Sequence, residues 1–284
     1  MPAQPPIDTP LHLFEAYERL AAGPTRPIAG GTDVMVAITG ELGEVPERML
    51  DLSRIDALRG ISLEAGSLVL GARTTYTEIR RSAICREHLP ALVEAAATIG
   101  AAQIQTRGTL GGNIANASPA GDTLPILLAA DAVILVGGQR GEREIAAKDF
   151  FIAYRKTALA ADELILQVRF PLPPGRQLRF RKVGTRRAQA ISKVVLALAW
   201  HELGPQGWHD VRVALGSVAA TPIRAAATER VLEGARPTPE AADLAAETLA
   251  GELTPIDDVR STADYRRMVS ARILHRLLRD AGGW

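Results

Sequence analysis

The chain has 284 residues, of which 47% are hydrophobic and 23% charged, a globular composition long enough for two domains or one large one. Such a mixture excludes a disordered chain, a fibrous repeat and a disulfide scaffold. With 33 Lys and Arg against 32 Asp and Glu the net charge is +1, so no global field draws the chain to nucleic acid or to an anionic membrane.

Met1 to Pro10 has no basic stretch followed by an apolar one, so no secretory signal is expected there. Pro10 to Ala22 places Leu11, Phe14, Tyr17 and Leu20 at helical spacing and stops on Gly23 and Pro24, which predicts a helix. Pro27 and Ile28 then lead into Ala29, Gly30, Gly31, Thr32 and Asp33, a small-residue turn ahead of the apolar run Val34 to Ile38. Ile61 and Leu63, followed by Leu68 to Leu70, predict two short strands with Gly66 and Ser67 as their turn. Thr77 to Cys85 and Pro90 to Ala102 predict helices. The single cysteine, Cys85, can make no internal disulfide and cannot by itself build a zinc or iron–sulfur site. A cytoplasmic protein with no metal centre of its own is expected.

Gln103 to Asp122 holds Gly108, Gly111, Gly112, Gly121, Asn113 and Asn116, which predicts a long loop of the kind that carries function. Thr123 to Ala130 reads as a short apolar helix and Ala132 to Val136 as a buried strand. The apolar run Leu124 to Val136 is interrupted by Asp131 and is too short to span a bilayer. Pro171 to Gly175, reading PLPPG, predicts a linker that divides the chain into residues 1–174 and 175–284. Beyond it Leu178 to Val183, Val194 to His201 and Val211 to Val218 alternate as an antiparallel sheet does. Ile223 to Leu232, Ala241 to Leu249 and Tyr265 to Leu278 are helical by periodicity. The expected fold class is α+β.

Two segments carry chemistry, and neither is built from acids, bases or nucleophiles. The paired glycines Gly30 and Gly31 let backbone approach a ligand, so the segment reads either as an ordinary tight turn or as a nest of N–H groups suited to a phosphate. Thr32 adds a hydroxyl donor, and Asp33 ties the loop through backbone bonds. The second segment sets Thr109, Asn113, Asn116, Ser118 and Asp122 among glycines, as either a solvated surface loop or a site for a large polar ligand with phosphates, hydroxyls and a heteroaromatic edge. No P-loop, dinucleotide fingerprint, zinc-protease helix or nucleophile elbow is present. His12, His88, His201, His209 and His275 have no ligand spacing. Tyr76, Tyr154 and Trp200 read as core or rim aromatics, one of which could shield a bound ring. Arg179, Arg181, Arg186, Arg187 and Lys193 read as a solvated basic face.

AGGTDVMV at Ala29 to Val36, TIGAAQIQTRGTLGGNIANASPAGDTLP at Thr98 to Pro125, FRKVGTRRAQAISKV at Phe180 to Val195 and ATPIRA at Ala220 to Ala225 closely resemble the FAD-binding subunit of molybdenum hydroxylases of the xanthine, carbon monoxide and aldehyde dehydrogenase type. The resemblance implies an FAD domain of the p-cresol methylhydroxylase type, with two α/β subdomains, followed by a C-terminal antiparallel sheet packed with helices. It further implies that backbone N–H groups of Ala29, Gly30, Gly31, Thr32, Asp33, Val34, Met35 and Val36 hold the diphosphate. Thr109, Gly112, Asn113 and Asn116 then line the cofactor, and Asp122 bonds its ribityl or adenosine hydroxyls. Ile99 lies beside the cofactor, Ile165 or Leu166 lies against the isoalloxazine, and Lys182 sits near that ring, where a cation stabilises the anionic reduced flavin.

By the same resemblance no side chain here is catalytic, because the flavin carries the chemistry. Electrons arrive from [2Fe-2S] clusters on a small partner subunit, after substrate oxidation at a molybdopterin centre on a large one. They leave to NAD, a quinone or another acceptor, and a dimer of heterotrimers is possible. Other readings are a free-standing flavin oxidoreductase and an assembly protein that has lost FAD. The chain departs from the family where Ile38, Thr39 and Gly40 replace a methionine–lysine pair and where Gln189 replaces an acidic residue. With one cysteine it also lacks the cubane-cluster loop of some relatives.

Overall fold

The computed structural model describes residues 5–40, 45–186, 189–202, 204 and 207–284. Met1 to Gln4, at the start of the N-terminal stretch read for a signal, and Arg187 of the expected basic face lie outside them. Strand β1 (Ile7–Asp8) is followed by α1 (Leu13–Ala21), β2 (Arg26–Ile28), α2 (Val34–Thr39) and β3 (Met49–Asp51). The three strands form a parallel sheet in the order β1-β3-β2. Helix α1 starts after Leu11 and His12, whose N–H groups donate to the Glu15 carboxylate, and it buries Ala16 and Leu20 against Leu50, Leu52, Ile55 and Leu58.

Next come β4 (Ile61–Glu64), β5 (Ser67–Gly71), α3 (Tyr76–Arg81), α4 (Ala83–His88), α5 (Pro90–Thr98), α6 (Ala102–Arg107), α7 (Leu110–Asn116), α8 (Leu124–Ala129), β6 (Val133–Gly138) and β7 (Gly141–Ala146). Helix α9 (Ala147–Phe150), β8 (Phe151–Ala153), β9 (Lys156–Thr157) and β10 (Leu164–Pro171) complete this half. A five-stranded antiparallel sheet has the order β4-β5-β10-β6-β7.

Several expectations need correcting. The hairpin turn is Ala65 and Gly66, both left-handed (φ 46° and 75°), while Ser67 already pairs with Glu64. Paired left-handed residues match the strand twist, so the turn shifts by one residue. The helix expected over Thr77 to Cys85 is two, because Ser82 is extended (ψ 123°) and its hydroxyl accepts from Cys85 N to start α4. The helix expected from Pro90 stops at Thr98, where Ile99 is extended and Gly100 is left-handed (φ 53°).

The largest correction is the segment expected as a long loop, which contains α6 and α7. Its glycines serve close packing there. A Cβ on Gly111 would lie 2.7 Å from Ala72 O and one on Gly108 2.9 Å from the Tyr76 ring, contacts only a bare Cα permits.

The second half is β11 (Arg176–Val183), β12 (Val194–Glu202), β13 (Trp208–Gly216), β14 (Ile223–Arg224), α10 (Ala226–Leu232), α11 (Pro239–Glu252) and α12 (Ala263–Gly282), with the strands in sequential antiparallel order. Ile223 and Arg224, expected as helix, pair with Leu215 and Ala214. Alternation along β12 explains how this sheet attaches. Val195, Ala197 and Ala199, with Phe180 and Ala214, join the core of the first half, whereas Val194, Leu196, Leu198 and Trp200 pack with Leu249, Leu274 and Leu278 of α11 and α12.

Polar contacts reinforce that junction. Asp131, left-handed at φ 51° between α8 and β6, is ion-paired to Arg212 of β13 and lies 3.4 Å from Arg224 of β14 and 3.9 Å from Arg176 of β11. Arg176 and Arg212 also hold Asp210. Asn tolerates the left-handed backbone, so Asp131→Asn isolates the charge, and it should lower unfolding free energy by about 1 kcal/mol with an unchanged urea m-value. A variant as stable as the parent would remove Asp131 from the forces joining the halves.

Candidate functional site

Strand β2 leaves the parallel sheet into Ala29 to Asp33, and packing fixes where that loop goes. A Cβ on Gly30 would overlap the carbonyl of Arg107, so the loop lies directly on the junction of α6 and α7. Gly31 is left-handed (φ 74°), and Met35 N returns to Gly31 O at 2.9 Å to start α2. The backbone N–H groups of Gly30 to Val34 donate to no acceptor among the described residues. Consecutive donors left without a protein acceptor can converge on an anionic ligand.

Beside this loop a cavity of about 750 Å³ opens between the two halves, within the range of cofactor sites. Thr32 and Asp33 line one part of it, Ile99, Gly100, Asn113, Asn116 and Ser118 to Asp122 another, and Ser192, Ser217, Ala219, Ala220, Thr254, Ile256 and Asp258 the face from the second half. Thr123 Oγ1 donates to Asn113 Oδ1 at 2.6 Å, fixing that amide. Asp33 is exposed at the cavity wall. Crowding by the surrounding protein pushes its carboxyl up, while Arg155 and Arg26 oppose that rise.

Asp122 is the polar centre. Lys182 Nζ donates to its Oδ2 at 2.6 Å and to Thr98 O at 3.1 Å, and the Ser192 hydroxyl donates to its Oδ1. Both charged side chains are 8% exposed. Burial raises the Asp122 carboxyl, opposed by the Lys182 charge and by the hydrogen bonds from Lys182 and Ser192. The chain of bonds continues across the cavity. Ser217 Oγ donates to Ser192 O, Arg266 Nη1 donates to Ser217 O, and Arg266 Nη2 donates to Asp258 Oδ1. Fixed polar groups from both halves therefore face one space.

The expected site residues divide into three groups. Thr32, Asp33, Ile99, Asn113, Asn116 and Asp122 line the cavity. Ala29, Gly30, Gly31, Thr109, Gly112 and Lys182 adjoin lining residues in sequence or by hydrogen bond without lining the cavity themselves. Thr109 caps α7 by accepting from Gly112 N at 3.1 Å, and Lys182 reaches the cavity only through Asp122, so its charge acts as half of an ion pair. The side chains of the other five lie elsewhere. Val34, Met35 and Val36 lie in α2, which buries no residue, and Ile165 and Leu166 sit on opposite faces of β10 in two separate cores. Of the aromatics, Tyr76 and Tyr154 line the cavity, whereas Trp200 stacks on Trp208 at 4.4 Å.

Sequence reading missed Ser192, Ser217, Arg266 and Arg155, all of which line the cavity. The first three carry no local signal, because each matters through a partner distant in sequence. Arg155 had one, since it adjoins Tyr154 at a predicted rim.

Residues 7–173 match the family model described as the FAD binding domain in molybdopterin dehydrogenase, and residues 179–281 match the CO dehydrogenase flavoprotein C-terminal domain. The chain is 31% identical over 255 residues to the carbon monoxide dehydrogenase medium chain of Hydrogenophaga pseudoflava, covering 89% of this chain and 88% of that one. It is 33% identical over 279 residues to the nicotine 6-hydroxylase medium subunit of Paenarthrobacter nicotinovorans, with 96% of each covered. Among solved structures, the carbon monoxide dehydrogenase of Hydrogenophaga pseudoflava superposes with a TM-score of 0.92 at 29% identity, covering 97% of this chain and 96% of that one. Quinoline 2-oxidoreductase from Pseudomonas putida 86 also gives 0.92, at 26% identity, with 99% and 98% covered.

Proposed function

This chain belongs to the family of FAD-binding subunits of molybdopterin dehydrogenases, and from that premise we propose that it is the electron-relay subunit of a heterotrimeric molybdenum hydroxylase. A large molybdopterin subunit oxidises the substrate, a small subunit passes the electrons through [2Fe-2S] clusters, and this chain delivers them in pairs to NAD, a quinone or another acceptor. The assembly is cytoplasmic and can pair as a dimer of heterotrimers. The observation that carries the reading is the cavity itself, where unpaired backbone N–H groups on one side and the Asp122 centre on the other offer donors for a diphosphate and polar partners for hydroxyls. Bound FAD supplies the switch between one- and two-electron transfer.

The chain's own residues bind and orient. The Gly30 to Val34 amides offer donors for an anion. Asp122, held by Lys182 and Ser192, keeps a fixed acceptor beside Ile99 for a ligand hydroxyl or N–H. Ser217 and Arg266 hold the wall from the second half, so cavity shape depends on the junction of the halves. We place the division at residues 174–175, supported by the passage from β10 in one sheet to β11 in another across Pro171 to Gly175.

The test is an absorption spectrum of the purified chain before and after acid release of its cofactor, followed by capture of the tagged chain from native extract. FAD with a molybdopterin chain and an iron–sulfur chain is the expected result. FAD without partners would support a free-standing flavoenzyme instead, and no flavin after reconstitution would reject the cavity as its site.

A further inference from the structure

Among the described residues, Arg155, Arg260 and Arg266 are the cations lining the cavity. Arg266 is bound to Asp258 at 2.8 Å, and Arg260 lies 3.6 Å from the same carboxylate. Among the described residues Arg155 has no carboxylate within ion-pairing distance, though the Asp33 charge acts on it through space. Its Nη1 donates to the neutral Oδ1 of Asn116 at 2.8 Å, and its guanidinium lies 5.9 Å from the centre of the Tyr154 ring. The backbone holds it at φ 51°, a left-handed conformation unfavourable for an L side chain, at the tip between β8 and β9.

Across this part of the cavity stand Thr32 and Asp33, beside the unpaired amides of Gly30 to Val34. A diphosphate held by those amides carries two negative charges next to the Asp33 carboxylate. The amides are neutral, so a nearby cation lowers the cost of bringing those charges beside Asp33, and among the described residues Arg155 is the cavity cation held in no ion pair. Its planar fork suits two phosphate oxygens at once.

We infer that Arg155 is the cation that neutralises the cofactor's diphosphate, with the β8–β9 hairpin strapped across it and Asn116 setting the direction of the guanidinium. This rests on the assignment of the cavity to FAD. Arg155 acts on the phosphates alone, so its loss changes affinity for FAD without changing affinity for riboflavin, which has the same ring and ribityl chain but no phosphate.

The experiment titrates the apo form of the full chain with FAD and with riboflavin, at low and high salt, for wild type, Arg155→Gln and Arg155→Lys. Arg155→Gln should weaken FAD about ten- to a hundredfold, leave riboflavin unchanged and flatten the salt dependence of FAD binding. Arg155→Lys should recover part of the affinity. Unchanged FAD binding by Arg155→Gln, equal weakening of both ligands, or a Lys variant no better than Gln would overturn the assignment. If wild type itself binds no FAD, the assignment of the cavity fails instead.

Discussion

Lys182→Met is expected to destabilise the apo chain by about 3–5 kcal/mol near pH 8, because it strands the buried Asp122 carboxylate. Each partner is 8% exposed, and Lys182 Nζ is 2.6 Å from Asp122 Oδ2, so water cannot readily replace the ammonium. The Ser192 bond remains but carries no charge. The effect depends on pH in a defined sense. Burial already raises the Asp122 carboxyl, and the variant loses the cation that opposed the rise. A carboxyl raised in the folded state contributes stability below its unfolded value and loses it as pH climbs through the folded one. The deficit of Lys182→Met should therefore shrink as pH falls from about 8 towards 5. Urea unfolding at both pH values measures this, with Lys182→Met/Asp122→Leu as the companion that should recover much of the loss. An equal deficit at both pH values would mean that Asp122 is not the group Lys182 serves.

Gly30→Val should cost about 1–3 kcal/mol of stability through overpacking and reduce FAD affinity by about a hundredfold or more. The clash is with backbone, the carbonyl of Arg107, so it cannot be relieved by a rotamer change. Separating the loop from the junction of α6 and α7 displaces the unpaired amides of Gly30 to Val34 from the cavity. Two other glycines serve as comparisons. A Cβ on Gly112 meets only Thr109 Oγ1, at 2.9 Å, so Gly112→Ala should be milder, and Gly251→Ala in α11 meets nothing and should leave flavin content unchanged. Equilibrium dialysis with FAD reads all three. Wild-type affinity in Gly30→Val would show that the loop can leave the junction without consequence for the ligand.

Apart from Ile99, which the resemblance supplied, the cavity residues legible in the sequence lie inside the small-residue segments. Thr32 and Asp33 follow a glycine pair, and Asn113, Asn116 and Asp122 lie in a stretch too polar and too glycine-rich for an ordinary core helix. The same composition misled about backbone, because glycines that let α6 and α7 pack against Ala72, Tyr76 and Ala29 to Asp33 look locally like glycines of an open loop. Ile165 and Leu166 are of another kind: the resemblance implies that one of them lies against the ring, and the alternation of β10 sends one to each of two cores.

The fold class, the helices and strands of strong periodicity, the two glycine-bearing segments and the family are legible in the residues alone. These depend on neighbours within a few residues, where sterics and alternation act directly. Which groups meet is set by the packing of distant elements. Asp122 is joined to Lys182 and Ser192 across 60 and 70 residues, Arg155 to Asn116 across 39, and β12 divides its two faces between two cores. A buried charge is tolerated only where a partner is delivered by another element, and that delivery is set by packing of the whole chain.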